Sequence, residues 1–228
     1  MKEKIIVLVP MRHHSQRVPG KNYRDLAGKP LFHHILHTLR DVPEIAQVVV
    51  DTDSAQIVKG LAEFFPEVKV LERPEHLRAD DIPMNEILMY DSAQVEGDLY
   101  LQTHSTNPLL RAETISKAIN QLLAVYPAHD SLFGVTRRHV RLWDELTRPI
   151  NHNPAILLQT QNLPPVFEDN SCMYIFKREH LVVRRNRLGE RPMMFEIPPQ
   201  EAMDIDNEAD FQMVELMMRL RMEGKGYA

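Results

Sequence analysis

Ile5-Ile6-Val7-Leu8-Val9-Pro10 is a short apolar run, rich in β-branched residues and closed by proline. That is the pattern of a strand buried on both faces. Met11-Arg12-His13-His14-Ser15-Gln16-Arg17-Val18-Pro19-Gly20-Lys21-Asn22 follows it as a polar loop. Pro30 suits the first turn of a helix, and Leu31, Phe32, Ile35, Leu36 and Leu39 form its apolar stripe. Val48-Val49-Val50 reads as a second buried strand, ended by Asp51-Thr52-Asp53, which suit a turn. Ser54 is placed to cap the next helix, striped by Ile57, Val58, Leu61 and Phe65. Further strands are predicted at 68–71, 98–102, 131–135 and 172–176. Helices are predicted from near Pro83, around Ile115 to Leu123, and around Phe211 to Met218.

Strands alternating with helices call for a parallel sheet covered on both faces, hence a doubly wound, mostly parallel α/β fold. Ligands in such folds bind beyond the carboxyl ends of the strands, where the polar loop begins. The pattern lapses between residues 138 and 170, which hold Trp143, Pro149, Pro154, Pro164 and Pro165. We read that stretch as an irregular insertion or dimerisation segment within one domain of 228 residues.

The net charge is −5, which lowers the weight of a general nucleic-acid binder. Residues 11–24 hold Arg12, Arg17, Lys21 and Arg24 and no acid, so they carry +4 and the remainder −9. A cationic loop in an acidic chain suits a small anion: arginine forks match phosphate oxygens and lysine supplies a point charge. The Walker glycine pattern is absent, so the loop is not a P-loop. Cys172 is the one cysteine, which excludes a disulfide framework and a multi-thiolate zinc site; packing beside a strand is its expected role. No apolar run approaches the roughly 20 residues that span a bilayer, and Ile5–Val9 is too short for a signal peptide. A cytoplasmic location without a membrane partner is the expectation.

The motifs resemble the cytidylyltransferases that activate acidic sugars, namely the acylneuraminate (sialic acid) enzymes and their relatives for other 3-deoxy sugar acids. The resemblance rests on seven patches in order. They are Pro10-Met11-Arg12 with Ser15, Pro19 and Lys21-Asn22; Leu26-Ala27-Gly28-Lys29-Pro30-Leu31; Val50-Asp51-Thr52-Asp53; Arg73-Pro74 with Leu77 and Asp80; Thr106-Asn107-Pro108-Leu109; Asn170 to Phe176; and Asp204-Ile205-Asp206 with Asp210. It implies a Rossmann-like nucleotidyltransferase that joins CTP to a sugar acid with Mg²⁺ and works as a homodimer. It also implies that Arg12 and Lys21 hold the triphosphate, with Met11, Ser15, Arg17, Asn22, Arg73 and Asp80 at the nucleotide. His104, Thr106 and Asn170 fall on substrate positions, and Asp204 and Asp206 on metal-binding aspartates. This chain departs from the family pattern at His13-His14, where glycines are common, at His104, in place of glutamine, and at Ser171, in place of glycine.

Independently of the resemblance, carboxylates two residues apart in an extended segment point to one side, as a magnesium site requires. Asp206 also reads as a helix cap, as does Asn207, so it is metal ligand, cap or both. For the reaction that the resemblance implies, Arg12, Lys21 and Asp206 are the catalytic candidates, for equatorial oxygens, leaving pyrophosphate and hydroxyl proton in turn. Tyr174 and Phe195 read equally as sugar contacts or as core, and Arg111, Arg137 and Arg138 are candidates for a sugar carboxylate. His33 and His37 have metal-ligand spacing without a third ligand, so a polar helix face is the expected role. Rival readings are a nucleotidyl- or glycosyltransferase for another base or acceptor, and a non-catalytic nucleotide binder.

Overall fold

A computed structural model describes residues 3–224. Seven strands form one sheet in the order β5-β4-β1-β6-β8-β7-β9. They are β1 (Ile5–Met11), β4 (Ile45–Thr52), β5 (Lys69–Glu72), β6 (Leu99–Thr103), β7 (Ser131–Arg138), β8 (Val166–Phe176) and β9 (Pro192–Glu196). Neighbours β5-β4, β4-β1, β1-β6 and β7-β9 are parallel, and β8 alone runs against both of its partners. The sheet is thus mostly parallel, with one reversed strand.

Every residue of β1 is buried, because helices cover both of its faces. Ile5, Val7, Val9 and Met11 pack with side chains of α1 (Leu31–Arg40), α2 (Ala55–Phe64) and α4 (Ala112–Val125). Ile6 and Leu8 point the other way, to Leu88 of α3 (Met84–Gln94) and Leu181 of α5 (Arg178–Arg184). Each such fully buried aliphatic side chain contributes roughly 1.5–3 kcal/mol. The last helix, α6 (Glu208–Met222), closes a third cluster with Val18, Leu26, Leu31 and Ile205. That cluster lies beneath the polar loop and anchors it.

Several expectations shift. Pro30 precedes α1 instead of lying in its first turn. It belongs to a short ribbon of β2 (Asp25–Leu26) and β3 (Lys29–Pro30), turned at Ala27 and Gly28, both with positive φ. Strand β8 begins at Val166, six residues before the predicted start, so the irregular stretch narrows to 139–165. Val58 of the predicted α2 stripe is exposed. His33 does not lie on a polar face: it is buried among Phe32, Phe64 and Phe65, and burial takes its pKa down to about 4. Cys172 is free and fully buried in β8. No helix among the described residues is long and apolar enough to cross a membrane.

Strand order reverses beside β1. The chain moves from β1 outward to β4 and β5, then returns to the other side of β1 as β6. The loops leaving β1 and β6 therefore diverge at their carboxyl ends, and a crevice opens between them.

Candidate active site

A cavity of about 420 Å³ occupies that crevice. Its wall takes Arg12, His14, Ser15, Gln16, Arg17, Lys21 and Asn22 from the loop after β1, and His104, Ser105 and Thr106 from the loop after β6. Arg73, Asp80, Met84, Asp204 and Asp206 complete the lining. The volume lies in the range of small-molecule sites.

Local chemistry fixes the cationic loop. His13 donates its backbone N–H to Asp53 Oδ1 at 2.7 Å, and its ring Nδ1 lies 2.7 Å from Ser54 Oγ. Asp53, read from sequence as a turn residue, therefore ties the loop down, and Ser54 also accepts from Ile57 N–H at the start of α2. Ser15 Oγ accepts from the N–H of Val18, whose side chain is fully buried in the third cluster. Gly20 then turns the chain at φ 67°, where an added Cβ would lie 2.9 Å from the Tyr23 ring. Asn22 joins the two loops: its Nδ2 donates to Arg12 O and its Oδ1 accepts from Ser105 Oγ, both at 2.7 Å. Of the four cations, Arg24 leaves the site. It forks onto Glu208 at 2.6 and 2.7 Å and covers the Phe211 ring.

The remaining cations meet acids or carbonyls at the rim. Arg12 and Gln16 both donate to Asp80, Arg17 pairs with Asp206 at 2.7 Å, and Lys21 Nζ donates to Ile205 O at 2.6 Å. Ile205 is fully buried, so the flanking Asp204 and Asp206 turn to the opposite side, into the cavity. Burial lowers the Lys21 pKa, although Asp204 and Asp206 pull it up again. Burial raises the Asp204 pKa; the hydrogen bond from Thr106 opposes that shift and Asp206 reinforces it. Asn207 caps α6 in a reciprocal pair with Asp210, so Asp206 is not the cap and its carboxylate faces the cavity.

Oδ1 of Asp204 is buried without a hydrogen-bond partner. An orphaned carboxylate oxygen beside a second carboxylate and a cationic loop fits a hard divalent ion that completes its shell with phosphate oxygens and water. No group of three or more histidine, cysteine or acidic side chains among the described residues encloses a metal by itself. Magnesium, which keeps waters and substrate oxygens, does not require one.

Arg73 is a buried cation at the cavity wall. Its Nε donates to Asp51, and Asp91 of α3 completes a group in which no residue is more than 1% exposed. Oδ2 of Asp51 and both Asp91 oxygens lack partners unless a proton lies between the two acids. Burial, then the neighbouring Asp51 charge, push Asp91 up to about 8, which supplies that proton at neutral pH. Arg73 Nη1 and Nη2 have no acceptor among the described residues, so four N–H donors await one.

Some residues named from sequence lie away from the cavity. Met11 is still strand, paired with Thr52 and packed in the core. Phe195 is core as well. Asn170 donates to Thr136 and accepts from Cys172 N–H, and buried Tyr174 donates its hydroxyl to Asp169. These four sit in or beside strands whose interior faces pack: Met11 and Asn170, expected at the site from the resemblance, lie off the cavity wall, and Tyr174 and Phe195 follow the core half of their reading. Arg138 pairs with Glu168 and Arg111 with Glu201, while Arg137 is exposed at the end of β7. His14, Gln16, Ser105 and Met84 reach the cavity as well; of these the sequence marks only His14, as a departure from the family pattern. Three of them adjoin named motif residues; Met84 carries no sequence signal.

Comparison with known proteins agrees with this geometry. The sequence profile of the cytidylyltransferase family matches residues 6–223. The chain is 26% identical over 234 residues to the CMP-N,N'-diacetyllegionaminic acid synthase of Legionella pneumophila, covering 96% of this chain and 98% of that protein. It is 28% identical over 219 residues to N-acylneuraminate cytidylyltransferase A of Danio rerio, but spans only 50% of that relative's length. Among solved structures, a CMP:2-keto-3-deoxy-manno-octonic acid synthetase complexed with CTP superposes with TM-score 0.70 at 18% identity, over 96% of this chain and 99% of that one, which is a likeness of fold. A profile match over nearly the whole chain, on a fold shared with such a synthetase, shows that this protein belongs to the cytidylyltransferase family.

Proposed function

We propose that this protein transfers CMP from CTP to the anomeric hydroxyl of a sialic-acid-like sugar acid and releases pyrophosphate. The observation that carries the reading is the meeting of Lys21 with Asp204 and Asp206 at one cavity, although they are far apart in sequence. The names of the relatives supply the substrate class.

The triphosphate would take over the rim cations. Arg12, Arg17 and Lys21 now donate to Asp80, Asp206 and Ile205 O, and phosphate oxygens offer stronger, bidentate acceptors. Arg73 would turn its unpaired Nη groups to acceptors on the base. The sugar hydroxyl attacks the α-phosphorus in line, forming one O–P bond as the bond to pyrophosphate breaks. Arg12 stabilises charge on the equatorial oxygens, Lys21 stabilises the leaving pyrophosphate, and Asp206 accepts the hydroxyl proton. Asp204 and Asp206 would hold Mg²⁺, which supplies charge neutralisation for the phosphates.

The excursion 139–165 leaves Trp143, Leu146, Ile150, Ile156 and Leu157 at least half exposed. We assign it to contact with a second copy of the chain, since a cluster of that kind on a monomer is unusual; sedimentation equilibrium tests the dimer. A cytoplasmic setting belongs to the same reading, as the place where CTP is available.

The function is tested by pyrophosphate release from four nucleoside triphosphates against several sugar acids, with and without divalent metal. Release confined to CTP, a sugar acid and added metal is expected. Release with another base or a neutral sugar points to a different transferase, and binding without release to a non-catalytic homologue.

A further inference from the structure

His104 lines the cavity, and its state is set by a chain of hydrogen bonds that begins outside it. Arg187 Nη1 donates to Gln102 Oε1 at 2.6 Å. A guanidinium offers no acceptor, so Gln102 must face it with oxygen and turn its NH₂ away. That NH₂ lies 2.8 Å from His104 Nε2. An amide nitrogen only donates, so Nε2 is the acceptor and carries no proton. The single ring proton is therefore on Nδ1, for which the described chain provides no partner.

The anchor of this chain is itself fixed. The Arg187 guanidinium carbon lies 3.4 Å from the centre of the Tyr174 ring, and the Tyr174 hydroxyl donates to Asp169 at 2.7 Å. Burial, then the charges of Arg187 and Lys21, take the His104 pKa down to about 4, so the ring stays neutral at physiological pH. The result is a fixed N–H donor between two cations.

We propose that Arg187, acting through Gln102, fixes His104 as a neutral Nδ1–H donor to the carboxylate of the acid substrate. The inference rests on the sugar-acid reading above. A donor flanked by Lys21 and Arg187 favours an anionic oxygen over a hydroxyl, because both charges add to the attraction. His104 is the contact; Arg187 and Gln102 are positioning residues.

The nitrogen-15 spectrum of the His104 ring tests the relay in the full chain. A bare Nε2 and protonated Nδ1, unchanged across the range of about pH 6–8 where free histidine titrates, is the expected result. Gln102→Glu still accepts from Arg187 but offers Nε2 no donor, so a proton should appear on Nε2. In kinetics, Gln102→Glu and Arg187→Met should each raise KM for the sugar acid roughly tenfold, the worth of a charge-assisted hydrogen bond. KM for CTP should stay within about twofold. Arg187→Lys, which keeps a donor, should recover part of the loss. A protonated Nε2 in the unaltered protein overturns the proposal, as does an unchanged KM for the acid in both variants or an equal rise in both KM values. If the unaltered protein consumes no sugar acid, the function and the carboxylate assignment fail together, and the spectrum alone decides the tautomer.

Discussion

Lys21 donates its ammonium to the backbone carbonyl of Ile205 at 2.6 Å, across 184 residues of sequence. The contact sets the cation beside Asp204 and Asp206 without pairing it to either carboxylate; Asp206 pairs instead with Arg17, and Asp204 keeps an oxygen without a partner. Partial burial of Lys21 strips some of its water, which makes it worth more to a phosphate than a surface lysine.

Lys21→Ala is therefore expected to lower turnover by at least about 10²–10³, the usual cost of removing an electrostatic stabiliser. The fold should survive, because Lys21 contributes no core surface. Steady-state pyrophosphate release together with the thermal midpoint checks both halves. Normal turnover removes the phosphate role.

Asp204→Asn should abolish metal-dependent turnover and yet stabilise the protein. The folded-state pKa of Asp204 lies above its ordinary value because of burial. The folded form thus holds a proton that the unfolded chain has released, and stability falls as pH rises from the ordinary carboxylate value through the raised one. The asparagine variant escapes this loss, so its advantage should grow with pH over that window. Denaturant titrations at two pH values measure it; a constant difference contradicts it.

Asp91 makes the same argument with a wider window. Its folded value is about 8, against about 4 in an unfolded chain. Between those values folding takes up a proton, so stability declines with rising pH and levels off above the window. Asp91→Asn keeps a donor for Asp51 and should flatten the decline. Asp51→Ala, by contrast, leaves Arg73 buried and unpaired, at a cost of about 3–5 kcal/mol. Unfolding curves near both ends of the window separate the two outcomes.

Gly20→Ala should cost about 1–2 kcal/mol, the penalty for an L-residue in the left-handed region. The added methyl also meets the Tyr23 ring, so Lys21, next in sequence, should shift with it. A lower denaturation midpoint with a raised KM for nucleotide is the expected pair of readings.

Much of this was legible in sequence where the cause is local. The β1 strand, the α2 cap at Ser54 and the carboxylate pair follow from periodicity and spacing, which short segments carry by themselves. Strand β9 and helix α5 are only 5 and 7 residues long, too short to show a period against their polar neighbours. The Arg187–Gln102–His104 chain was invisible because 85 residues separate its first link. Arg24 was misjudged for the same reason: its partner, Glu208, lies on the last helix. Charge sums along a loop do not reveal which side chain a distant acid will withdraw.

The single reversed strand has a topological result. Because β8 runs against β6 and β7, the end of β7 and the start of β8 lie at the same edge of the sheet as the end of β1. The irregular excursion between them therefore emerges at the end of the sheet where the cavity opens, not at the opposite pole. Under the proposed dimer, a second copy seated on that excursion would neighbour the cavity mouth, so partner and ligand would approach from one side.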